Sequence, residues 1–166
     1  MRALPMISAF VIGASVMGAA AFHQFAKAED MVTFTIVSPA GHGPIIIDIG
    51  EPGQSLGDMR LINNTFAGDD GVSGTASGML LTVDLPDEAD TQLDSMGQIV
   101  YEFGGGDMIV VAADSEFLPG GDALILDGAQ LRAVIGGTGK FIGARGQVTT
   151  TFNEDGTWSH TFQLLD

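Results

Sequence analysis

The chain reads as an all-β domain, a sandwich or a barrel, on three observations. Apolar residues recur with period two in run after run, the breaks between runs are rich in Gly, Asp and Pro, and no stretch beyond residue 28 carries helical periodicity. Many short strands joined by turns can bury their apolar faces in either architecture.

The carboxyl end is the clearest case. Trp158, His160, Phe162 and Leu164 alternate with Thr157, Ser159, Thr161 and Gln163. Before them Val148, Thr150 and Phe152 alternate with Gln147, Thr149 and Thr151. Asn153-Glu154-Asp155-Gly156 between the two runs is a hairpin turn, with Gly156 suited to positive φ.

The same logic gives Ile99, Tyr101 and Phe103 as one face of a strand, with Glu102 on the other. It gives Met79, Leu81, Val83 and Leu85 as the apolar face of another, with Asp84 turned away. Met108 to Ala113 is continuously apolar, as in a strand covered on both sides. Segments 32–37, 45–49, 56–66, 123–126 and 130–135 complete the set, and the acidic stretch Pro86 to Asp94 reads as a solvated loop.

Residues 1–28 read as a signal peptide, with Arg2, an apolar run from Ile7 to Phe22, and Ala26-Lys27-Ala28 as a small-x-small cleavage site. An uncleaved anchor is the competing reading, since the run nears the ~20 residues that span a bilayer. Cleavage leaves one domain, 29–166, secreted or periplasmic and not embedded in a membrane. The chain has no cysteine, so disulfides and thiol chemistry are excluded. All 21 acidic residues follow residue 28, against four basic ones (Arg60, Arg132, Lys140 and Arg145), a balance of −17 (4 minus 21). Such a surface repels phosphate backbones, so no nucleic-acid partner is expected.

The segment Gly136-Gly137-Thr138-Gly139-Lys140-Phe141-Ile142-Gly143-Ala144-Arg145-Gly146 resembles the GGTGKFxxARG signature of dirigent proteins and, in a close variant, of allene oxide cyclases. Clustered glycines permit a tight crossing, Phe141 can plug it into the core, and Ala144 and Gly146 let the next strand start against a neighbour. Gly57-Asp58 with Asn64 seven residues after the Gly is similar to a cyclase segment, and Thr161-Phe162-Gln163-Leu164 to the closing strand. The resemblance implies an eight-stranded antiparallel closed β-barrel that binds a small hydrophobic or aromatic molecule without a cofactor. It also implies a homodimer or homotrimer. Any activity would be that of an isomerase or cyclase, or the steering of a coupling, by holding an apolar molecule in one geometry away from water. The rival readings are a non-catalytic ligand carrier and a structural or interaction barrel with a filled interior.

Within this frame Asn64 and His160 are the candidate catalytic residues. Asn64 matches the cyclase Asn that helps hold a water, and His160 is a proton carrier on an otherwise apolar face. Pro44, Tyr101, Trp158 and Phe162 are the candidate ligand contacts. Counting back from Pro44 puts the family's first-strand Glu at Thr35, a departure that calls cyclase-type charge stabilisation into question. No metal site is expected: Gly68-Asp69-Asp70-Gly71 and Gly120-Gly121-Asp122 lack EF-hand spacing and read as turns.

Overall fold

The computed structural model describes residues 30–41, 43–85, 92–117 and 128–165. The leader, His42 and the strand expected at 123–126 lie outside them. Among the described residues nine strands follow one another, β1 (Met31–Ser38), β2 (Ile45–Ile47), β3 (Met59–Gly68), β4 (Ser73–Thr82), β5 (Leu93–Glu102), β6 (Met108–Phe117), β7 (Ala129–Thr138), β8 (Gly146–Phe152) and β9 (Trp158–Leu165).

Every pairing is antiparallel, in the order β1-β9-β8-β7-β6-β5-β4-β3, and β3 returns to β1 through Ile36–Gly68 and Val37–Ala67. The eight strands form a closed barrel, and short β2 pairs with the start of β3 on the edge whose other end pairs with β1. Closure removes the free sheet edges that an open sheet would expose. It also chooses the barrel over the sandwich, which strand periodicity alone left open.

The terminal hairpin forms as the alternation requires. Phe152 pairs with Trp158 and Thr150 with His160, and Gly156 sits at φ 80° in the turn. His160, Phe162 and Leu164 face inward and are buried, as are Val148 and Thr150. In the signature, Gly139–Phe141 forms a 3₁₀ turn that sets Phe141 against the core.

Two readings of the sequence are corrected. On β4 the inside and outside are exchanged: Met79, Leu81 and Val83 are exposed, while Leu80 and Thr82 are buried. Thr82 earns its inward place by accepting a hydrogen bond from a buried arginine, so polarity misled the face assignment. Of the stretch Pro86 to Asp94, read as a loop, residues 86–91 lie outside the described residues, and its end is strand. Leu93 and Asp94 already belong to β5, and Leu93 is core. Its acidic neighbour masked a strand start whose inward residues are Leu93 and Ser95.

The interior is layered. At the end carrying the signature turn, Phe34, Phe66, Phe103, Phe141 and Phe162 form an aromatic plug, with Phe34 stacked on Phe162 at 4.9 Å and Phe103 against Phe141 at 5.0 Å. At the far end Leu80, Leu93 and Phe117 form a second apolar cluster, with Phe152 and Trp158 packed on it. Between them lies a polar layer that includes Ser38, Thr82, Ser95, Ser115, Thr150 and His160 and two buried arginines, Arg60 and Arg132.

Candidate functional site

The polar layer borders a cavity of about 50 Å³ toward the far end of the barrel. Every strand of the barrel supplies lining: Ser38 from β1, Ile62 and Asn64 from β3, Ala76 and Leu80 from β4, Ile99 and Tyr101 from β5, Phe117 from β6, Arg132 from β7, Thr150 from β8, and Trp158 and His160 from β9, with Pro44 at the rim from the segment before β2. All eight contribute because inward residues from neighbouring strands converge on one axis in a small barrel.

His160 is the hub. Its Nδ1 lies 3.2 Å from the Tyr101 hydroxyl and 3.0 Å from the Thr150 hydroxyl, and its Nε2 lies 3.4 Å from Ser38 Oγ. Burial, with the Arg132 charge as second cause, pushes its pKa down to about 3, so the ring is neutral at ordinary pH. Burial pushes Tyr101 up to about 12, partly countered by Arg132 and a hydrogen bond with Thr150, so its phenol keeps its proton. A protonated phenol donates. We therefore assign Nδ1 as the acceptor and Nε2 as the protonated nitrogen facing Ser38, from the network rather than from observed hydrogens.

The two arginines were not singled out from the sequence. Arg132 donates through Nη2 to Ser115 Oγ and Gln130 Oε1, both at 2.7 Å, and lines the cavity. Arg60 donates through Nη1 to Thr82 Oγ1 at 2.7 Å and Ser95 Oγ at 3.1 Å, with its guanidinium 4.6 Å from the Phe117 ring centre. Nothing in the alternation marks them. Arg132 stands between Leu131 and Ala133, and both of these apolar neighbours are exposed while the arginine is buried.

The structure gathers five of the six candidate residues. Asn64, His160, Pro44, Tyr101 and Trp158 all line the cavity. Phe162 does not: it is fully buried in the plug beneath, edge-on to Tyr101 at 5.1 Å, so it shapes the floor from behind. Thr35 points outward and hydrogen-bonds the Thr161 hydroxyl at 2.9 Å, because the inward positions of β1 are the flanking Phe34, Ile36 and Ser38. Among the described residues no Asp or Glu lines the cavity, and Arg132 does. The local charge is thus the reverse of a carboxylate site. It favours an oxygen substituent or developing negative charge over a cation. The described residues include no group of three or more His, Asp or Glu placed to hold a metal ion.

Neither a protein-family model nor a curated protein sequence matches the chain. Solved structures do. A pyocyanin demethylase is similar at a TM-score of 0.57 and 15% identity, over 81% of this chain and 99% of that one. The pterocarpan synthase dirigent protein GePTS1 is similar at 0.53 and 15% identity, over 84% and 85%. The fold is that of the dirigent-like barrels, and at this identity the likeness extends to the fold alone.

Proposed function

We propose that the protein is an exported, cofactor-free barrel that binds a small apolar or aromatic molecule in its lumen and steers its cyclisation or coupling. The observation that carries this reading is the cavity itself. Apolar walls (Ile62, Leu80, Ile99, Phe117 and Trp158) converge on a polar base where Tyr101, Thr150 and Arg132 can orient one oxygen substituent beside neutral His160. Apolar walls with a few fixed polar groups are the usual make-up of a small-molecule site. The steering is geometric: the walls restrict the conformer and exclude water, and the base fixes the polar end. The two similar structures, named as a pyocyanin demethylase and a pterocarpan synthase dirigent protein, support an aromatic ligand.

The size of the cavity also favours a second reading. About 50 Å³ holds a few waters or the leading edge of a ring, so a whole ring must displace Trp158 or Ile62. A barrel that stays filled would be structural. Trp158 is the chain's sole tryptophan and lines the cavity, so its fluorescence reports entry. Phenolic or lipid-like compounds are expected to raise the melting temperature and to change Trp158 emission together, by about 2.7 kcal/mol of stabilisation at a hundredfold excess over Kd. Asn64→Ala should weaken that binding about tenfold (a loss of ~1.4 kcal/mol) and leave the fold intact. A broad library that leaves both signals unmoved establishes the filled, structural barrel instead.

The partner in this proposal is a second copy. Across β2–β5 the outward residues Ile45, Leu61 and Met79 are cross-strand neighbours, as are Ile47, Met59, Leu81 and Met96. Ile45, Met79 and Met96 are each more than half exposed. A contiguous apolar strip on an otherwise acidic protein is typical of an interface. Light scattering of the wild type should give a dimer or trimer, and Met79→Lys with Met96→Lys should give monomers. A monomeric wild type at millimolar concentration removes the interface.

A further inference from the structure

The signature segment has a second consequence at the opposite end of the barrel. There a groove of about 690 Å³ opens between the 3₁₀ turn at Gly139–Phe141 and the start of β1. Its floor is Phe34, Phe103 and Phe141, and Ile142, 81% exposed, forms part of its rim. It shares no lining residue with the lumen cavity, and the stacked Phe34–Phe162 pair lies between them.

The placement of positive charge is the telling feature. After residue 28 the chain has four basic residues against 21 acidic ones. Arg60 and Arg132 are buried within the barrel. The other two, Lys140 and Arg145, both line this groove, where Asp69 is the one acidic lining residue among those described. Lys140 Nζ is steered over the aromatic floor, 5.0 Å from the Phe141 ring centre and 5.7 Å from that of Phe103, with the Asp107 carboxylate at 3.4 Å. Every exposed cation of the domain thus meets an apolar basin of ligand size. The acidic remainder of the surface repels anions, which concentrates their approach on this end.

We propose that this groove is a second binding site, for a small hydrophobic carboxylate whose ring or chain lies on Phe34, Phe103 and Phe141 and whose carboxylate meets Arg145 and Lys140. A cationic molecule would be repelled by the two positive charges, and a neutral one would gain no attraction from them. The site goes beyond the lumen reading and does not depend on it.

Titration of the isotope-labelled protein with 2-naphthoate, followed by backbone amide shifts, tests it. Saturable shifts are expected at Gly68–Val72, Gly139–Arg145, Leu164 and Leu165, with Asn64, Tyr101 and His160 unmoved. 2-Naphthylmethanol should bind at least tenfold more weakly, Lys140→Gln with Arg145→Gln should lower naphthoate affinity at least tenfold, and Trp158→Ala should not change it. Shifts at the lumen residues instead, equal affinity for the alcohol, or unchanged affinity in the double variant overturns the proposal. So does a dimer in sedimentation that Arg145→Glu dissociates, because the groove is then covered by a second copy. Because Trp158 emission reports the lumen and these amides report the groove, either site can fail without the other.

Discussion

Gly97→Ala is expected to abolish the native barrel. Gly97 is an inward position of β5, opposite Leu80 on β4 and Ala113 on β6. A Cβ built there overlaps the Met79 carbonyl oxygen and comes within 2.9 Å of the Leu80 Cα. Both are backbone atoms inside a paired strand, so no rotamer change relieves the overlap. Gly78 on β4 is similarly crowded, its Cβ 2.7 Å from the Gln98 carbonyl oxygen. The two glycines mark the place where the β4–β5 pair coils tightly enough for eight strands to close. Forcing the strands apart breaks ladder hydrogen bonds on both sides, and a cost of about 4 kcal/mol or more is expected, a large part of the ~5–15 kcal/mol that holds a typical domain folded. Loss of near-ultraviolet circular dichroism and of a cooperative melt would show it. Gly136→Ala is the matched control: its Cβ meets nothing within 4 Å, so its melt should stay within about 1 kcal/mol of wild type. A Gly97→Ala protein that melts like the wild type would mean that the β4–β5 corner is looser than described.

This corner also explains what was legible in the sequence. Where the lumen is wide enough for large side chains, period-two reading works: the inward His160, Phe162 and Leu164 are the residues a hydrophobic face predicts. On β4 the backbones approach so closely that the inward positions include Gly74, Ala76 and Gly78, and the larger apolar residues Met79 and Leu81 go outside. A scale that ranks faces by hydrophobicity must invert there. The arginines were illegible for a related reason. Arg60 and Arg132 occupy inward positions between apolar residues that face out, and the hydroxyls that receive them (Thr82, Ser95 and Ser115) come from other strands. Their burial is a property of barrel closure, and no local window contains it. The site residues reached from the resemblance, Asn64 and Pro44, and those reached from alternation, Tyr101, Trp158 and His160, do converge on one cavity. Phe162 shares the face of His160 but lies two residues deeper along β9, inside the plug.

The buried histidine sets the second large effect, a loss of stability between pH 6.5 and 4.5. Folding takes His160 from an ordinary pKa of 6.5 to about 3. Above 6.5 the ring is neutral in both states and contributes no pH dependence. Below 6.5 the unfolded chain binds a proton that the folded barrel refuses, so stability falls as pH falls, at up to ~1.4 kcal/mol per pH unit. Integrated over this window, the loss is about 2 kcal/mol. The carboxylates act lower. Asp58 accepts hydrogen bonds from the Ile49 and Ser55 amides, and Asp107 from the Lys140 amide, which holds both below the ordinary 3.8. Their contribution is present above that value and is lost only as pH drops through their lowered values, so the higher window isolates the histidine. Urea melts across it should show the slope in the wild type. In His160→Gln, whose amide oxygen can still accept from Tyr101 and Thr150, the slope should flatten even if the variant is less stable at pH 7. Comparing the two proteins cancels the acid-rich surface and His42, which both retain. A slope that survives in His160→Gln would mean that the imidazole is not held neutral, and with it would go the assignment of Nδ1 as the acceptor at the base of the cavity.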